Sequence, residues 1–322
     1  MDSRNTFNIQ DIWAARQRIA GTIHRTPLLY SQALSVLTGA EVYLKMECWQ
    51  LCGCFKVRGA MSKLSSMPAE QLDRGIVTTS SGNHAIGVAY AAHVHGQIPT
   101  TIFMPEHTDT THIDKVKMWG GNCILKGAHY QESYEAAMVF LERHGGTYVH
   151  SHADAQVMAG QGTIGLEILE DLPEIDAAII PIGGGGMISG IGTALKAAGR
   201  PVRLIGVEPK AAPAAYRSIR DGVCCSSLTP DPSIADGLLS GVHEMTFSIF
   251  RELVERVELV SEGELKEAVV HFQRWEQLMV EPSAAIGLAA LLHHTENMGG
   301  KKVVLILTSR NIDAALYNRI VS

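Results

Sequence analysis

Short, largely apolar runs separated by stretches with helical spacing are the feature of this sequence that most restricts its fold. The runs cover residues 76–78, 101–104, 123–125, 178–182, 202–207 and 303–307. A strand with one wetted face alternates apolar and polar residues, whereas a parallel strand between two layers of helices is apolar throughout. The pattern therefore predicts an α/β fold with open, twisted, mostly parallel sheets and flanking helices.

The length of 322 residues is more than one small core usually organises, so we expect one large unit or two domains. No repeat with a period of about 20 to 50 residues occurs, and no linker rich in Pro or Gly divides the chain. Residues 75–149 carry strand–helix units of their own. We expect them to form a small domain inserted into a large domain built from residues 1–74 and 150–322, with a cleft between the two.

Charge and composition exclude several functional classes. The formal net charge of −6 offers no basic surface for nucleic acid, and no window approaches the roughly 18 apolar residues of a membrane helix. The first residues are too polar for a secretory leader, and six cysteines are too few for a disulfide framework. We expect a cytoplasmic protein whose partners are small molecules and copies of itself, as a homodimer or homotetramer, without nucleic acid or membrane.

Four consecutive glycines follow one of the apolar runs and precede a helical stretch. The run Ile179-Ile180-Pro181-Ile182 leads directly into Gly183, Gly184, Gly185 and Gly186. Such a loop lets backbone N–H groups converge on an anion at a helix N-terminus, so it predicts a phosphate site. The Lys-Ser/Thr of a nucleotide-binding P-loop is absent, as is the G-x-G-x-x-G of a dinucleotide site. A glycine-rich turn without a ligand is the alternative.

Two further stretches carry polar residues suited to chemistry. The first runs from Gly53 to Ala60 and contains Lys56, although a lone lysine is usually a solvated surface residue. The second, from Thr79 to Ala85, follows an apolar run and opens a helix, which places several donors where a carboxylate could bind. Simple helix capping by its serine and asparagine side chains is the alternative.

These stretches resemble those of threonine dehydratases, serine dehydratases and serine racemases. Seven motifs occur in the order of that family, namely Lys45-x-Glu47-x-x-Gln50-x-x-Gly53-x-Phe55-Lys56-x-Arg58-Gly59-Ala60, Ser80-Ser81-Gly82-Asn83-His84, Gly160-Gln161-Gly162-Thr163, the tetraglycine, Ile234-Ala235-Asp236-Gly237, Glu281-Pro282 and Asn311-Ile312-Asp313. The resemblance covers nearly the whole chain. It implies the tryptophan-synthase-β-like fold, in which a small domain is inserted into a large one, with pyridoxal 5′-phosphate as cofactor.

The resemblance also assigns roles to single residues. It implies that Lys56 holds the cofactor as a Schiff base and acts as the catalytic base. The other residues expected at the cofactor are Phe55 on the ring, Asn83 at the 3′-oxygen, Gly183, Gly184, Gly185 and Gly186 at the phosphate, Gly237 beside the ring, and Thr308 at the pyridine nitrogen. A neutral hydroxyl at that nitrogen moderates the electron sink, which favours elimination over transamination.

The substrate is expected at the second stretch. The residues implied to bind it are Ser80, Ser81, Asn83, His84 and, from its place two residues after Thr308, Arg310. Ser81 is also a catalytic candidate, because the corresponding residue of serine racemases acts from the face opposite the lysine.

Four departures from the family pattern limit these assignments. Cys54 stands where Ser is usual, which is expected to weaken one phosphate hydrogen bond, and Arg310 lies in a Thr-Ser-Arg sequence that replaces Ser-Gly-Gly. Ala214 occupies the position of an Asp that, with the equivalent of Glu208, holds a metal in some members, so no metal is expected. Tyr134 replaces an Arg that can receive a second substrate carboxylate, which argues against hydroxyaspartate.

The expected function is removal of water and ammonia from an L-threonine- or L-serine-like 3-hydroxy amino acid to give a 2-oxo acid. The chain ends soon after Asp313, so feedback inhibition by isoleucine is not expected and a catabolic role is favoured. An amino-acid racemase using Lys56 and Ser81 is the nearest alternative. Others are a dehydratase specialised for 3-hydroxyaspartate or for an amino acid derived from hydroxyectoine, a catalytically silent binding protein, and an NAD-dependent dehydrogenase.

Overall fold

The computed structural model describes residues 7–322, which form two sheets flanked by helices. The strands in this range are β1 (Leu28–Tyr30), β2 (Glu41–Lys45), β3 (Ile76–Thr79), β4 (Thr100–Met104), β5 (Asn122–Leu125), β6 (Thr147–Tyr148), β7 (Ala177–Pro181), β8 (Arg203–Pro209), β9 (Arg256–Val260) and β10 (Lys302–Ile306). One sheet has the order β1-β2-β10-β7-β8-β9, and the other β5-β4-β3-β6. All neighbouring pairs are parallel except β1 and β2.

The α-helices of the same range lie between and around these strands. They are α1 (Ile9–Ile19), α2 (Gln32–Thr38), α3 (Lys56–Leu64), α4 (Ala69–Leu72), α5 (Asn83–Val94), α6 (Thr110–Met118), α7 (Tyr130–His144), α8 (Ala155–Asp171), α9 (Gly186–Lys196), α10 (Ala214–Asp221), α11 (Glu244–Phe250), α12 (Glu262–His271), α13 (Pro282–His293) and α14 (Ala314–Val321). No helix of residues 7–322 is both long and apolar enough to cross a membrane.

Burial of β7 on both faces explains why its sequence is continuously apolar. Ala177 and Ile179 pack into a core with α12 and α13, whereas Ala178 and Ile180 pack into a second core with α8 and α9. Each of these four side chains is fully buried. The α/β fold with mostly parallel sheets is therefore confirmed. The sequence of β7 is continuously apolar because the strand lies between two layers of helices.

The two sheets are built from different parts of the sequence. The four-stranded sheet uses strands from β3 to β6, within residues 76–148, and the six-stranded sheet uses strands from both ends of the chain. This arrangement places the carboxyl ends of β3, β7 and β10 around the same cavity. The domain boundaries at residues 75 and 149 stay a prediction.

Candidate functional site

The cavity has a volume of about 210 Å³ and lies where loops from both sheets meet. Ligands of open α/β sheets bind at the carboxyl ends of strands, and three of the loops here follow such ends. The cavity is lined by all but one of the residues predicted from the sequence, namely Phe55, Lys56, Ser80, Ser81, Asn83, His84, Gly183, Gly184, Gly185, Gly186, Gly237 and Thr308. The three stretches singled out in the sequence therefore converge on one site.

Lys56 is the first residue of α3, and close packing of α3 on α8 fixes its place. A Cβ on Gly59 would lie 2.4 Å from Nε2 of Gln161, and a Cβ on Gly160 would lie 2.4 Å from the carbonyl oxygen of Arg58. The contact at Gly160 is with backbone, which cannot move aside, so that position needs glycine; a Cβ on Gly59 would also lie 3.0 Å from the backbone carbonyl oxygen of Val157. These two glycines let the helices touch backbone to backbone, which holds the start of α3 at the cavity wall.

A buried network of charged side chains joins the same two helices. The Arg58 guanidinium, with no exposed surface, pairs with Glu47 at 2.8 Å and with Glu167 of α8 at 2.7 Å. Lys45 of β2 also donates to Glu167, at 2.5 Å. Buried charges are tolerated only when each is paired and hydrogen-bonded, and here every group has a partner. The network locks α3 onto α8 two residues after Lys56.

The Lys56 amine lies in an environment that favours its neutral form. Nζ donates to the carbonyl oxygen of Ser151 at 3.0 Å and lies 5.2 Å from the centre of the Phe55 ring. Burial lowers the pKa of Lys56 to about 8. A lysine reacts as a nucleophile or base only when unprotonated, so this burial prepares the amine for either task near neutral pH.

The tetraglycine loop forms a tight cradle between β7 and α9. Gly185 has φ +87°, a left-handed conformation that side-chain-bearing residues rarely adopt. A Cβ on Gly184 would lie 2.2 Å from Nδ1 of His152, and a Cβ on Gly186 would lie 2.8 Å from the His152 carbonyl oxygen. The loop can therefore approach its surroundings only because it carries no side chains. It leads into the N-terminus of the 11-residue α9, which favours an anion.

The stretch after β3 is not a set of simple helix caps. The N-cap of α5 is Gly82, and no side chain makes a capping hydrogen bond there. Ser80 Oγ accepts from the Gly82 N–H at 3.2 Å, and Ser81 is exposed at the cavity mouth. The capping alternative therefore does not account for these residues, and the helix N-terminus stays open to a ligand.

His84, the second residue of α5, is buried with only 3% of its surface exposed. Its Nε2 lies 3.1 Å from the carbonyl oxygen of Val149, so Nε2 carries the proton. Burial and then the nearby Lys56 amine lower the pKa of His84 to about 3. The ring is thus neutral, with Nδ1 as a buried acceptor that has no partner among residues 7–322.

Asn83 lines the cavity, and its side-chain amide already makes hydrogen bonds within the protein. Its Nδ2 donates to both oxygens of Glu281, at 3.1 and 3.2 Å, and to Ser309 Oγ at 3.1 Å. Its Oδ1 accepts from Asn311 Nδ2 at 2.7 Å. Binding of Asn83 to a cofactor oxygen or to a substrate therefore requires one of these bonds to be exchanged.

Thr308 and Gly237 both line the cavity. The Thr308 carbonyl accepts from the Phe55 N–H at 3.0 Å, which ties the end of β10 to the Lys56 loop. A Cβ on Gly183 would lie 3.2 Å from the Gly237 carbonyl oxygen, so the Gly237 loop rests against the tetraglycine. Backbone contacts with the Lys56 loop and with the tetraglycine therefore hold these two residues in the cavity wall.

Arg310 is the one predicted site residue that the structure leaves outside the cavity. Its side chain is exposed and lies against Gly53, where an added Cβ would come within 3.2 Å of Arg310 Cγ. The backbone N–H of Arg310 donates to the Gly53 carbonyl at 3.0 Å, and the chain turns there. A position two residues after Thr308 therefore does not place Arg310 beside the cofactor or substrate in this conformation.

Cys54 is also turned away from the cavity. It is fully buried, and its thiol donates to the Asn83 carbonyl at 3.7 Å. Burial raises the pKa of the Cys54 thiol to about 12. The side chain is a neutral packing group in this structure.

Sequence reasoning missed several residues of the cavity wall. His152 covers the tetraglycine, while His112, Asp236 and Glu281 also line the cavity. Asp236 and Glu281 stand inside two of the seven motifs, which was a usable signal. His152 carried none, because it becomes part of the site only through the fold.

Comparison with known proteins agrees with this geometry. The family model described as "Pyridoxal-phosphate dependent enzyme" matches residues 19–309. An L-threonine ammonia-lyase of Thermotoga maritima is 39% identical over 317 residues, covering 98% of this chain and 78% of that protein. A serine racemase of Arabidopsis thaliana is 38% identical, covering 95% of this chain and 93% of that protein.

A solved structure shows the same similarity in three dimensions. Maize serine racemase superposes with a TM-score of 0.91 at 35% identity, covering 97% of this chain and 96% of that one. The match spans both sheets and the cavity between them. The chain belongs to the pyridoxal-phosphate dependent enzymes, in the fold-type II group that includes threonine ammonia-lyases and serine racemases.

Proposed function

We propose that this protein is a pyridoxal-phosphate dependent ammonia-lyase that removes water and ammonia from an L-threonine- or L-serine-like amino acid. The observation that carries the proposal is a half-buried lysine, Lys56, in the same cavity as a phosphate cradle and an open helix N-terminus. The related L-threonine ammonia-lyase supports the choice of reaction.

The residues present fit the cofactor. The tetraglycine cradle excludes side chains and ends at a helix N-terminus, which suits the phosphate. The Lys56 amine would bond to the aldehyde carbon of the cofactor, and the Thr308 hydroxyl would hydrogen-bond to its ring nitrogen. Oε1 of Gln161 is buried without a partner among residues 7–322 and lines the same cavity, so the cavity wall also holds an unsatisfied polar atom that a ligand could engage.

Each group of the protein has a separate task in this proposal. When bound, pyridoxal phosphate supplies a conjugated ring that delocalises the negative charge left on Cα. Lys56 Nζ takes the Cα proton, a role for which its lowered pKa prepares it. The backbone N–H groups at the start of α5 hold the substrate carboxylate, and Ser80 and Ser81 flank them. Loss of the β-hydroxyl and hydrolysis then give the 2-oxo acid and ammonia.

The substrate can be found with a panel assay. L-Threonine, L-serine and their 3-hydroxy analogues are offered to the holoenzyme, and release of 2-oxo acid and ammonia is measured. We expect at least one of them to give both products in equal amounts. Absence of product from every member of the panel would remove the lyase assignment.

Racemisation is a second candidate, and Ser81 is the observation that favours it. Ser81 lines the same cavity as Lys56, and racemisation needs a proton donor on each face of the planar carbanion. We predict that 2-oxo acid forms much faster than D-amino acid, and that Ser81→Ala lowers any racemisation by at least about tenfold while reducing elimination less. Chiral chromatography beside a 2-oxo acid assay measures both rates. Faster accumulation of D-amino acid would make the protein a racemase with a lyase side reaction.

Chelation is expected to have little effect. Glu208 accepts from the N–H groups of Ala215 at 2.7 Å and Tyr216 at 2.9 Å, so its carboxylate closes the start of α10. No group of three or more potential metal ligands occurs within residues 7–322. We predict that exhaustive treatment with EDTA changes activity and thermal midpoint little. A large loss of activity that Mg²⁺ restores would show that the protein binds a metal through other ligands, in place of the Asp whose position Ala214 occupies.

We also propose a reduced, cytoplasmic setting, a catabolic role and a homo-oligomer. The reduced setting is supported by the cysteines: all six lie in the described part of the chain, and none is disulfide-bonded. The homo-oligomer is supported by a surface depression with exposed apolar side chains, which is lined by Tyr30, Val36, Leu37 and Trp275. We further propose that residues 75–149 form an inserted small domain, because the strands within this range form a four-stranded sheet of their own.

A further inference from the structure

Two departures from the family pattern lie side by side in the fold. Cys54 stands where serine is usual, and Ser309 stands where the family pattern has the first glycine of Ser-Gly-Gly. The backbones of these two residues pair as an isolated antiparallel bridge, next to the hydrogen bond that joins Phe55 to Thr308. A position that has lost a hydroxyl therefore lies opposite a position that has gained one.

Both side chains hydrogen-bond to Asn83. The Cys54 thiol donates to the Asn83 carbonyl oxygen at 3.7 Å, and Ser309 Oγ accepts from Asn83 Nδ2 at 3.1 Å. Cys54 and Ser309 are fully buried and do not line the cavity, whereas Asn83, the first residue of α5, does. The two departures thus act on the cavity through Asn83, from behind its wall.

The Ser309 hydroxyl joins Asn83 to Glu281. Its oxygen accepts from Asn83 Nδ2 and, at 3.4 Å, from the backbone N–H of Asn311. With two donors directed at this oxygen, the hydroxyl hydrogen is left for an acceptor, and the Glu281 carboxyl is that acceptor. The Ser309 carbonyl also accepts from the Glu281 N–H at 3.4 Å, which keeps the two residues adjacent.

The orientation of the Asn83 amide is fixed by its neighbours. Oδ1 accepts from Asn311 Nδ2 at 2.7 Å. The partners of Nδ2 within residues 7–322 are all oxygen atoms, namely Ser309 Oγ and the two carboxyl oxygens of Glu281. A reversed amide would bring two NH₂ groups together at Asn311 and several oxygens together at Glu281. Asn83 therefore offers N–H donors on the side of Glu281, which also lines the cavity.

The Glu281 carboxyl depends on its two side-chain donors. Only 6% of the residue is exposed, and the donors to its carboxyl within the described chain are Asn83 Nδ2 and the Ser309 hydroxyl. Burial and then the Asp236 charge raise the pKa of Glu281 to about 7, and the hydrogen bonds from Ser309 and Asn83 oppose that rise. A buried carboxyl that loses all its donors is strongly destabilised.

The two acceptors of the Asn83 N–H groups differ in position. Glu281 lines the cavity and Ser309 does not. An oxygen of a ligand in the cavity can therefore replace Glu281 as the acceptor of one N–H, while Ser309 keeps the other. Glu281 then still has the Ser309 hydroxyl as a donor. Without that hydroxyl, the same exchange would leave Glu281 buried with no side-chain donor, so Asn83 would be held on Glu281 instead.

We propose that Ser309 is a positioning residue that frees one Asn83 N–H for the ring 3′-oxygen of the cofactor by keeping Glu281 hydrogen-bonded. This inference rests on the proposed function and on the expected contact between Asn83 and that oxygen. Ser309 itself does not touch the cofactor and acts only through Asn83 and Glu281.

Ser309→Ala tests the proposal with two forms of the cofactor. Full-length protein freed of cofactor is titrated with pyridoxal 5′-phosphate and with its 3-deoxy analogue, which lacks the ring oxygen. The absorption of the bound form gives each dissociation constant. We expect the variant to bind pyridoxal phosphate about five- to tenfold more weakly than the wild type, and the deoxy analogue within about twofold of it. The four constants form a double-mutant cycle in which one change is made in the cofactor.

Cys54→Ala is the matched control. It removes the other buried side chain that bonds to Asn83, but it removes no donor to Glu281. Any loss of affinity should therefore be the same for both forms of the cofactor. If Ser309→Ala weakens both forms equally, or if Cys54→Ala discriminates between them as strongly, the Ser309 hydroxyl is a structural group only and the inference is overturned.

A second variant and a turnover assay complete the test. Ser309→Gly, which restores the family pattern, should show the same discrimination as Ser309→Ala and replaces it if the alanine variant does not fold. If the wild type binds pyridoxal phosphate and releases ammonia while neither variant discriminates, this inference fails and the lyase assignment stands. If the wild type binds no cofactor and forms no product, the proposed function itself fails.

Discussion

Replacement of Lys56 by Ala is expected to lower kcat for elimination by at least about 10³-fold, because it removes both the covalent anchor and the base. The purified variant should also lose the visible absorption of a cofactor linked to the protein. Its fold should persist, since Nζ makes only one hydrogen bond within the described chain, to Ser151. Ammonia release, visible spectrum and far-ultraviolet circular dichroism measure the three effects on one preparation.

Two matched variants sharpen that expectation. Lys56→Arg keeps a positive charge and a similar length but cannot form the link, so it should be as inactive as Lys56→Ala. Lys63→Ala, on the same helix, removes an ion pair with Asp154 at 2.6 Å outside the cavity and should keep activity within about twofold. Near-normal activity of Lys56→Ala would contradict the assignment of the site.

Replacement of Arg58 by Met is expected to destabilise the protein by about 3–5 kcal/mol, because it leaves Glu47 and Glu167 buried without their shared cation. Met keeps the length of the apolar stem, so loss of charge pairing dominates. The midpoint of denaturant-induced unfolding measures the effect. Because Arg58 holds α3 against α8, the remaining folded protein should also bind cofactor more weakly.

An exposed ion pair provides the contrast. Arg220 pairs with Asp221 at 2.6 Å, with side chains 58% and 49% exposed. Arg220→Met should leave the midpoint of denaturant-induced unfolding close to that of the wild type, because solvent screens an exposed pair. Equal effects of the two substitutions would show that the buried network contributes no more than a surface pair.

Five of the six strands that the sequence predicted, β3, β4, β7, β8 and β10, consist mostly of buried residues, whereas β5 is half-buried to exposed. All six apolar runs coincide with strands to within two residues, and in the five buried strands burial on both faces demands apolar side chains at successive positions. β1, β2, β6 and β9 went unpredicted. β6 has two residues, and β2 ends in Lys45, a residue typical of surfaces that is buried here by its contact with Glu167. Only the assembled fold reveals that contact.

For the site, sequence motifs predicted which loops converge but not how every side chain points. Lys56 and the tetraglycine could be predicted because each stands in a recognisable sequence motif, and both line the cavity. Arg310 lies outside the cavity, with its side chain against Gly53. That Asp236 and Glu281 line the same cavity depends on the meeting of two loops that are far apart in sequence, which no local pattern encodes.

Lys56 is proposed to carry the cofactor, and a labelling experiment on the holoenzyme can identify the lysine that does so. Holoenzyme is reduced with borohydride, digested and analysed by mass spectrometry, which fixes the cofactor to the lysine that bound it. We expect a pyridoxyl-phosphate modification on the peptide containing Lys56 and on no other lysine peptide, with activity lost in proportion to labelling. Modification of a different lysine, or full activity with Lys56 labelled, would contradict it.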